Sequence, residues 1–112
     1  MGLFGERLSL CFNMKQNSYS VYIMTNQTQT VSYVGMTSDL VGRVWQHKNK
    51  EFEKSFSAKY NVVSLIYYED FSSASAAIER EKQLKNWKRE WKVELIEKEN
   101  PEFIDLSAEW DL

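Results

Sequence analysis

This chain has little of what staples, breaks or hides a fold. Its 112 residues include one cysteine, one proline, one histidine and four glycines. The single thiol, Cys11, excludes an intrachain disulfide and fits a reducing compartment, which points to the cytoplasm. No apolar run approaches the roughly 20 residues that span a bilayer, so no transmembrane helix and no membrane partner are expected. The first residues, Met1 to Phe12, carry Glu6 and Arg7 among apolar neighbours, which is the wrong pattern for a secretory signal. Met14 is a second candidate start, so residues 1–14 read as a weakly determined leader. There are no repeats, no low-complexity tract and no linker, and with so few Gly and Pro the chain has sparse punctuation.

What is present describes one ordinary domain. A length of 112 residues suffices for one core and not for two. The hydrophobic share of 43% and the charged share of 27% are those of a globular protein. Net charge is −2, which speaks against broad non-specific binding to nucleic acid, but it is unevenly spread. Residues 39–92 hold eleven Lys/Arg and eight Asp/Glu, net +3, whereas residues 93–112 hold one Lys and seven acids, net −6. Such asymmetry can focus a polyanion on one face; the plain alternative is a solvated surface with an acidic end. Residues 15–106 are read as the domain and 107–112 as an acidic tail.

The element pattern is α+β. Tyr19 to Met24 reads as a strand that is apolar on both faces apart from Ser20. Val31 to Met36 reads as a second strand. The polar stretch Asn26 to Thr30 makes a hairpin loop between them, although no glycine marks it. Ser38 or Asp39 caps a helix running to about Lys48. Val62 to Glu69 is a third strand, rich in β-branched and aromatic residues. Ser72 or Ser73 caps a helix to about Trp87, and a last helix runs from about Trp91 to Lys98. Asn100-Pro101 stops it, because the residue before proline avoids helical geometry.

Several residues on these elements carry chemistry. Ser20-Val21-Tyr22 and Tyr33-Val34-Gly35 place two phenols on neighbouring strands, where the plain alternative is a pair of sheet aromatics. Gly35 is either a turn residue or a place where a ligand's backbone comes close. Arg43 and His47 are four apart and share a helix face. A guanidinium fork fits two phosphate oxygens and an imidazole moves protons near neutral pH. The helix after Ser72 has an apolar stripe of Ala74, Ala77, Ile78 and Leu84, with Glu81 near its centre. A carboxylate there needs an ion pair with a nearby Lys or Arg, or a hard divalent cation. If the helix continues, Lys82, Lys85, Arg89 and Lys92 form one basic flank, a phosphate-binding edge or solvated surface. The four tryptophans can stack on bases but are more simply packing residues.

These residues, in this order, resemble the GIY-YIG endonucleases, and in particular the small single-domain members related to the nuclease domain of the bacterial excision-repair incision protein. The resemblance runs from about Tyr19 to Leu106. After the two tripeptides come Gly35-Met36-Thr37-Ser38-Asp39-Leu40, Arg43 with His47-Lys48, and Tyr67-Tyr68-Glu69. Then follow Ala77-Ile78-Glu79-Arg80-Glu81-Lys82, Leu84-Lys85-Asn86-Trp87, Asn100-Pro101 and Asp105-Leu106. The family's first glycine is Ser20 here, which narrows the room beside Tyr22.

The resemblance implies a three-stranded antiparallel sheet flanked by helices. It also implies Mg²⁺- or Mn²⁺-dependent hydrolysis of DNA phosphodiesters; whether branched or single-stranded structures are selected is left open by the sequence. Carried over by position, Tyr22, Tyr33, Arg43, His47 and Glu81 are catalytic, and Glu81 binds the metal. Arg43 meets the scissile phosphate and His47 assists proton transfer or phosphate contact; a tyrosine, as a phenolate, takes the proton of the attacking water, either Tyr22, with Tyr33 positioning that water, or Tyr33. Lys48, Lys82, Lys85 and Arg89 are expected to contact DNA. Asn100 matches a polar site residue of some family members. The alternatives are a nucleic-acid-binding module without turnover and a protein-interaction domain whose acidic tail meets a basic partner.

Overall fold

A computed structural model describes residues 18–49 and 61–110. The expected leader and the last two residues of the acidic tail lie outside them. The elements run β1 (Tyr19–Thr25), β2 (Ser32–Thr37), α1 (Leu40–Lys48), β3 (Ser64–Phe71), α2 (Ala74–Asn86) and α3 (Arg89–Glu99). The architecture is α+β, with one antiparallel sheet in the order β2-β1-β3. None of the described helices is long and apolar enough to cross a membrane.

The β1–β2 loop closes without glycine because Asn26 acts as its frame. Its Oδ1 accepts from the Thr30 and Val31 amides at 2.9 and 3.0 Å. Its Nδ2 donates to the Thr28 and Thr30 hydroxyls at 3.1 and 2.8 Å. An Asn side chain can stand in for a backbone turn in this way. Gln29 adopts the left-handed region, at φ 60°.

Side chains alternate across β1, so the strand serves two cores. Val21 and Ile23 join Val34, Ile66, Ala77, Leu84 and Ile96 on the face covered by α2 and α3. Tyr22 and Met24 join Val44, Val62 and Leu65 on the face covered by α1. Leu106 and Trp110 pack against this second core and Ser107 is buried, so the first residues of the acidic tail are part of the packing rather than a solvated end. The β1–β3 register slips between Ile23 and Met24, where Ile23 pairs with Tyr67 and Met24 with Leu65. Ile66 is the extra residue of this bulge, and its carbonyl accepts from Asn100 Nδ2 at 3.0 Å.

Two helix starts follow the cap rules. Asp39 Oδ1 accepts from the Gly42 amide at 3.1 Å, and Ser73 Oγ accepts from the Ala76 amide at 3.3 Å. A side chain at Gly42 would strike the Asp39 carboxylate, so the glycine makes room for the cap. β3 and α3 are each displaced by two residues from their expected starts. The basic flank is also broken. Trp87 and Lys88 are extended, at ψ 149° and 154°, so Lys82 and Lys85 end one helix while Arg89 and Lys92 begin another.

Candidate active site

The site grows from one cross-strand pair. Tyr22 lies opposite Gly35 in the β1–β2 register, which brings the ends of the two tripeptides together. A Cβ built on Gly35 would sit 2.6 Å from Tyr22 Oη, 2.7 Å from its Cζ and 2.9 Å from Tyr33 Cε2. Gly35 is therefore the space in which the two phenol rings lie, and neither a turn residue nor a gap kept for a ligand's backbone. Tyr33 is diagonal to Tyr22, with ring centroids 6.2 Å apart.

α1 completes the cluster. Its buried face carries Val44 and, one turn on, His47, which is 3% exposed. The imidazole centroid lies 5.7 Å from the Tyr22 ring and 5.3 Å from the Tyr33 ring. Tyr22 Oη and His47 Nε2 are hydrogen-bonded at 3.1 Å. Burial, together with the Arg43 charge, lowers the His47 pKa to about 4, so the ring is neutral at pH 7. Burial also pushes the Tyr22 phenol well above its ordinary value. Tyr33 and, more weakly, Glu81 push the same way, while the charge and hydrogen bonding of Arg43 pull it back. The phenol is the stronger acid of two neutral partners, so it donates to Nε2. A resting phenolate at Tyr22, expected from the sequence, is thus disfavoured by its burial.

Glu81 belongs to the opposite helix layer, on α2. The buried stripe of α2 runs through Ala77 and Leu84, with Arg80 and Glu81 on its two edges. Ile78, expected in the stripe, is 39% exposed. Arg80 turns to β3, where Nη2 pairs with Glu69 Oε2 at 2.9 Å. Glu81, on the other flank, is among the charges that act on Tyr22. Its carboxylate is bridged to Lys85 at 3.2 Å, with side-chain exposures of 22% and 52%. An i,i+4 bridge of this exposed kind contributes about 0.3–0.5 kcal/mol, so it does not lock the acid away from a cation.

The donor set limits any metal. No group of three or more His, Cys, Asp or Glu side chains converges among the described residues. An ion at Glu81 would have one protein carboxylate, the rest of its shell being water and phosphate oxygen. Mg²⁺ accepts that arrangement, since it keeps several waters and binds through one or two carboxylates and substrate phosphates.

Other expected contacts have different surroundings. Lys48 Nζ bridges Asp105 Oδ2 at 2.6 Å, tying α1 to the C-terminal segment. Burial raises the Asp105 carboxyl, but Lys48, Ser107 and the Leu65 amide reverse this and leave it below its ordinary value. Lys85 is the partner of Glu81, and Lys82 is exposed on α2. Arg89 donates to the loop carbonyls of Gln29 and Thr30, at 2.7 and 3.5 Å. Asn100 is buried, and both ends of its amide go to main chain: Nδ2 to the Ile66 and Ile104 carbonyls, Oδ1 from the Ile104 amide. These bonds give it a scaffold role. The sequence reading missed Asp70, which accepts from buried Ser20 Oγ at 2.7 Å, two pairs along the β1–β3 register from Tyr22 and on the same sheet face. Strand alternation and the register together hold the signal for it.

A family model described as the GIY-YIG catalytic domain matches residues 18–94. The chain belongs to the GIY-YIG family. It is 32% identical over 82 residues to a UPF0213 protein of Syntrophus aciditrophicus, covering 73% of this chain and 92% of that one. It is 35% identical over 77 residues to a UPF0213 protein of Haloquadratum walsbyi, covering 69% and 84%. A solution NMR structure of a UPF0213 protein from Bacillus halodurans superposes with a TM-score of 0.51 at 19% identity, covering 82% of this chain and 97% of that one. That superposition bears out the fold.

Proposed function

We propose that this GIY-YIG protein is an endonuclease hydrolysing DNA phosphodiesters with a divalent cation, Mg²⁺ or Mn²⁺. One observation carries the reading: the rings of Tyr22, Tyr33 and His47 lie together, with centroids 6.2, 5.7 and 5.3 Å apart, beside the gap left by Gly35. Arg43 provides the planar fork for two phosphate oxygens and neutralises charge as the phosphorus becomes five-coordinate. Tyr33 borders the position from which a water attacks.

The Tyr22–His47 bond supports a relay without a free phenolate. Once substrate binding uncovers the buried Tyr22 hydroxyl, the attacking water's proton passes to Tyr22 Oη while the Tyr22 proton passes to His47 Nε2. His47 ends as imidazolium, which its burial disfavours and the negative phosphate offsets. Glu81 is the hard-oxygen ligand, freed from Lys85 at small cost. A bound cation supplies charge stabilisation at the phosphate oxygens.

The test is nicking of plasmid and branched DNA by pure protein, with and without Mg²⁺. Wild type cleaves, and Glu81→Gln and Tyr22→Phe each lose about two orders of magnitude or more, as removal of an acid–base or electrostatic group does. DNA binding with no metal-dependent cleavage would instead make the domain a non-catalytic binding module.

A further inference from the structure

The sheet face opposite the tyrosines holds a cavity of about 450 Å³. Its apolar end is formed by Ile23, Ile66, Ile96 and Phe103. Its other end lies at the β1–β2 hairpin, where Thr25, Ser32, Arg89 and Lys92 line it. Tyr22 and Ile23 are consecutive on β1 and so point to opposite faces, which separates this cavity from the candidate active site.

Three features give the polar end a ligand preference. Thr25 is 4% exposed, and its Oγ1 has no hydrogen-bond partner among the described residues. A buried hydroxyl left so is costly, and a ligand acceptor would relieve it. Arg89 uses two donors on the Gln29 and Thr30 carbonyls and keeps others of its five. Lys92 makes no ion pair among the described residues, and no carboxylate is among the lining side chains. Two cations and a buried hydroxyl next to a hydrocarbon wall match an anion with an apolar body. A volume of this size falls in the range of small-ligand sites, about 300–1,000 Å³.

We propose that this cavity binds a small amphiphilic anion, with one carboxylate or phosphate at Thr25, Arg89 and Lys92 and a hydrocarbon or aromatic body against Ile66 and Ile96. A nucleotide fits less well, because the polar edge of a base would find only isoleucine and phenylalanine at the apolar end. The inference goes beyond the nuclease reading and stands without it.

The experiment follows backbone amide shifts of the full chain during titration with decanoate, decyl phosphate, decanol and thymidine monophosphate. Saturable shifts at Thr25, Ser32 and Val93 are expected with decanoate or decyl phosphate, and whichever binds more tightly identifies the head group. Decanol should bind at least tenfold more weakly. Lys92→Gln should weaken the anion about tenfold and leave decanol unchanged. Thr25→Val should weaken the anion several-fold without lowering the unfolding midpoint. Equal affinity for decanol and decanoate, tighter binding of thymidine monophosphate, or no shifts at these amides with any probe would overturn the proposal.

Discussion

Lowering the pH from 7 to 5 should destabilise this protein through one side chain. His47 is the only histidine and is buried at 3% exposure. Its pKa falls from 6.5 in the unfolded chain to about 4 in the fold. A buried imidazole of this kind favours the neutral form, so the unfolded state binds the extra proton. Stability is therefore complete above pH 6.5, declines as pH falls through the window from 6.5 to about 4, and levels off below it. At about 1.4 kcal/mol per pH unit, the whole window amounts to about 3 kcal/mol and the step from pH 7 to 5 to about 2 kcal/mol. That is a large share of the roughly 5–15 kcal/mol that holds a domain together. Glu69 and Asp105 also have lowered pKa values, but their ordinary values of 4.5 and 3.8 put their losses at lower pH.

The measurement is urea unfolding at pH 5, 6 and 7, on wild type and His47→Gln. Glutamine places an amide near Nε2 that can still accept from Tyr22, and it does not titrate. Carboxylates contribute equally to both proteins and cancel in the comparison. Wild type should lose about 2 kcal/mol more than the variant between pH 7 and 5. Parallel pH dependence in the two proteins would refute both the buried neutral imidazole and the relay built on it.

Three further outcomes follow from contacts described above. Gly35→Ala should cost about 1–3 kcal/mol in urea unfolding, because its Cβ would fall 2.6 Å from the hydroxyl of a fully buried ring; a neutral result would mean the rings do not fill that space. Asn100→Ala should cost about 1–3 kcal/mol by the same assay, since buried main-chain groups at Ile66 and Ile104 lose their partner. If cleavage per folded molecule also fell tenfold, Asn100 would belong to the site rather than the scaffold. Ser20→Gly should cost about 1 kcal/mol through strand entropy and the lost Asp70 bond, with the cleavage rate within twofold of wild type. A larger loss of rate would place the Ser20–Asp70 rung in the chemistry.

The parts of the site that are local in sequence were legible; those that depend on burial were not. Tyr22, Tyr33, Arg43 and His47 sit on a hairpin and the helix directly after it, so period-two and period-3.6 patterns place them together. The charge states of Tyr22 and His47 arise from residues that surround them in space, which no spacing rule reports. Glu81 stood out as an acid on an apolar stripe, but Ile78 on that stripe is exposed, because Arg80 and Glu81 flank the buried line instead. Val62 is β-branched like the strand it precedes, yet it is buried as a loop residue against the α1-side core. α3 begins at Arg89 without a side-chain cap, so nothing in its sequence marked the start. The cavity draws on β1, the hairpin, β3 and α3, which only the tertiary fold brings together.

The two tyrosine tripeptides are one physical unit, and their register explains why. Tyr22 needs a partner without a side chain, and the β1–β2 pairing supplies Gly35. A slip of one residue would set Val34 or Met36 against the ring and turn every β2 side chain to the other face. The Asn26 frame fixes the loop length that prevents this slip. β1 then divides the domain: Tyr22 and its neighbours build the candidate active site on one face, while Ile23 and Thr25 wall the cavity on the other. The Ile66 bulge lets β3 follow both faces, and Asn100 holds the bulged carbonyl in place. A change that loosens the hairpin therefore reaches both faces at once, whereas a change confined to α1 reaches the tyrosine face first.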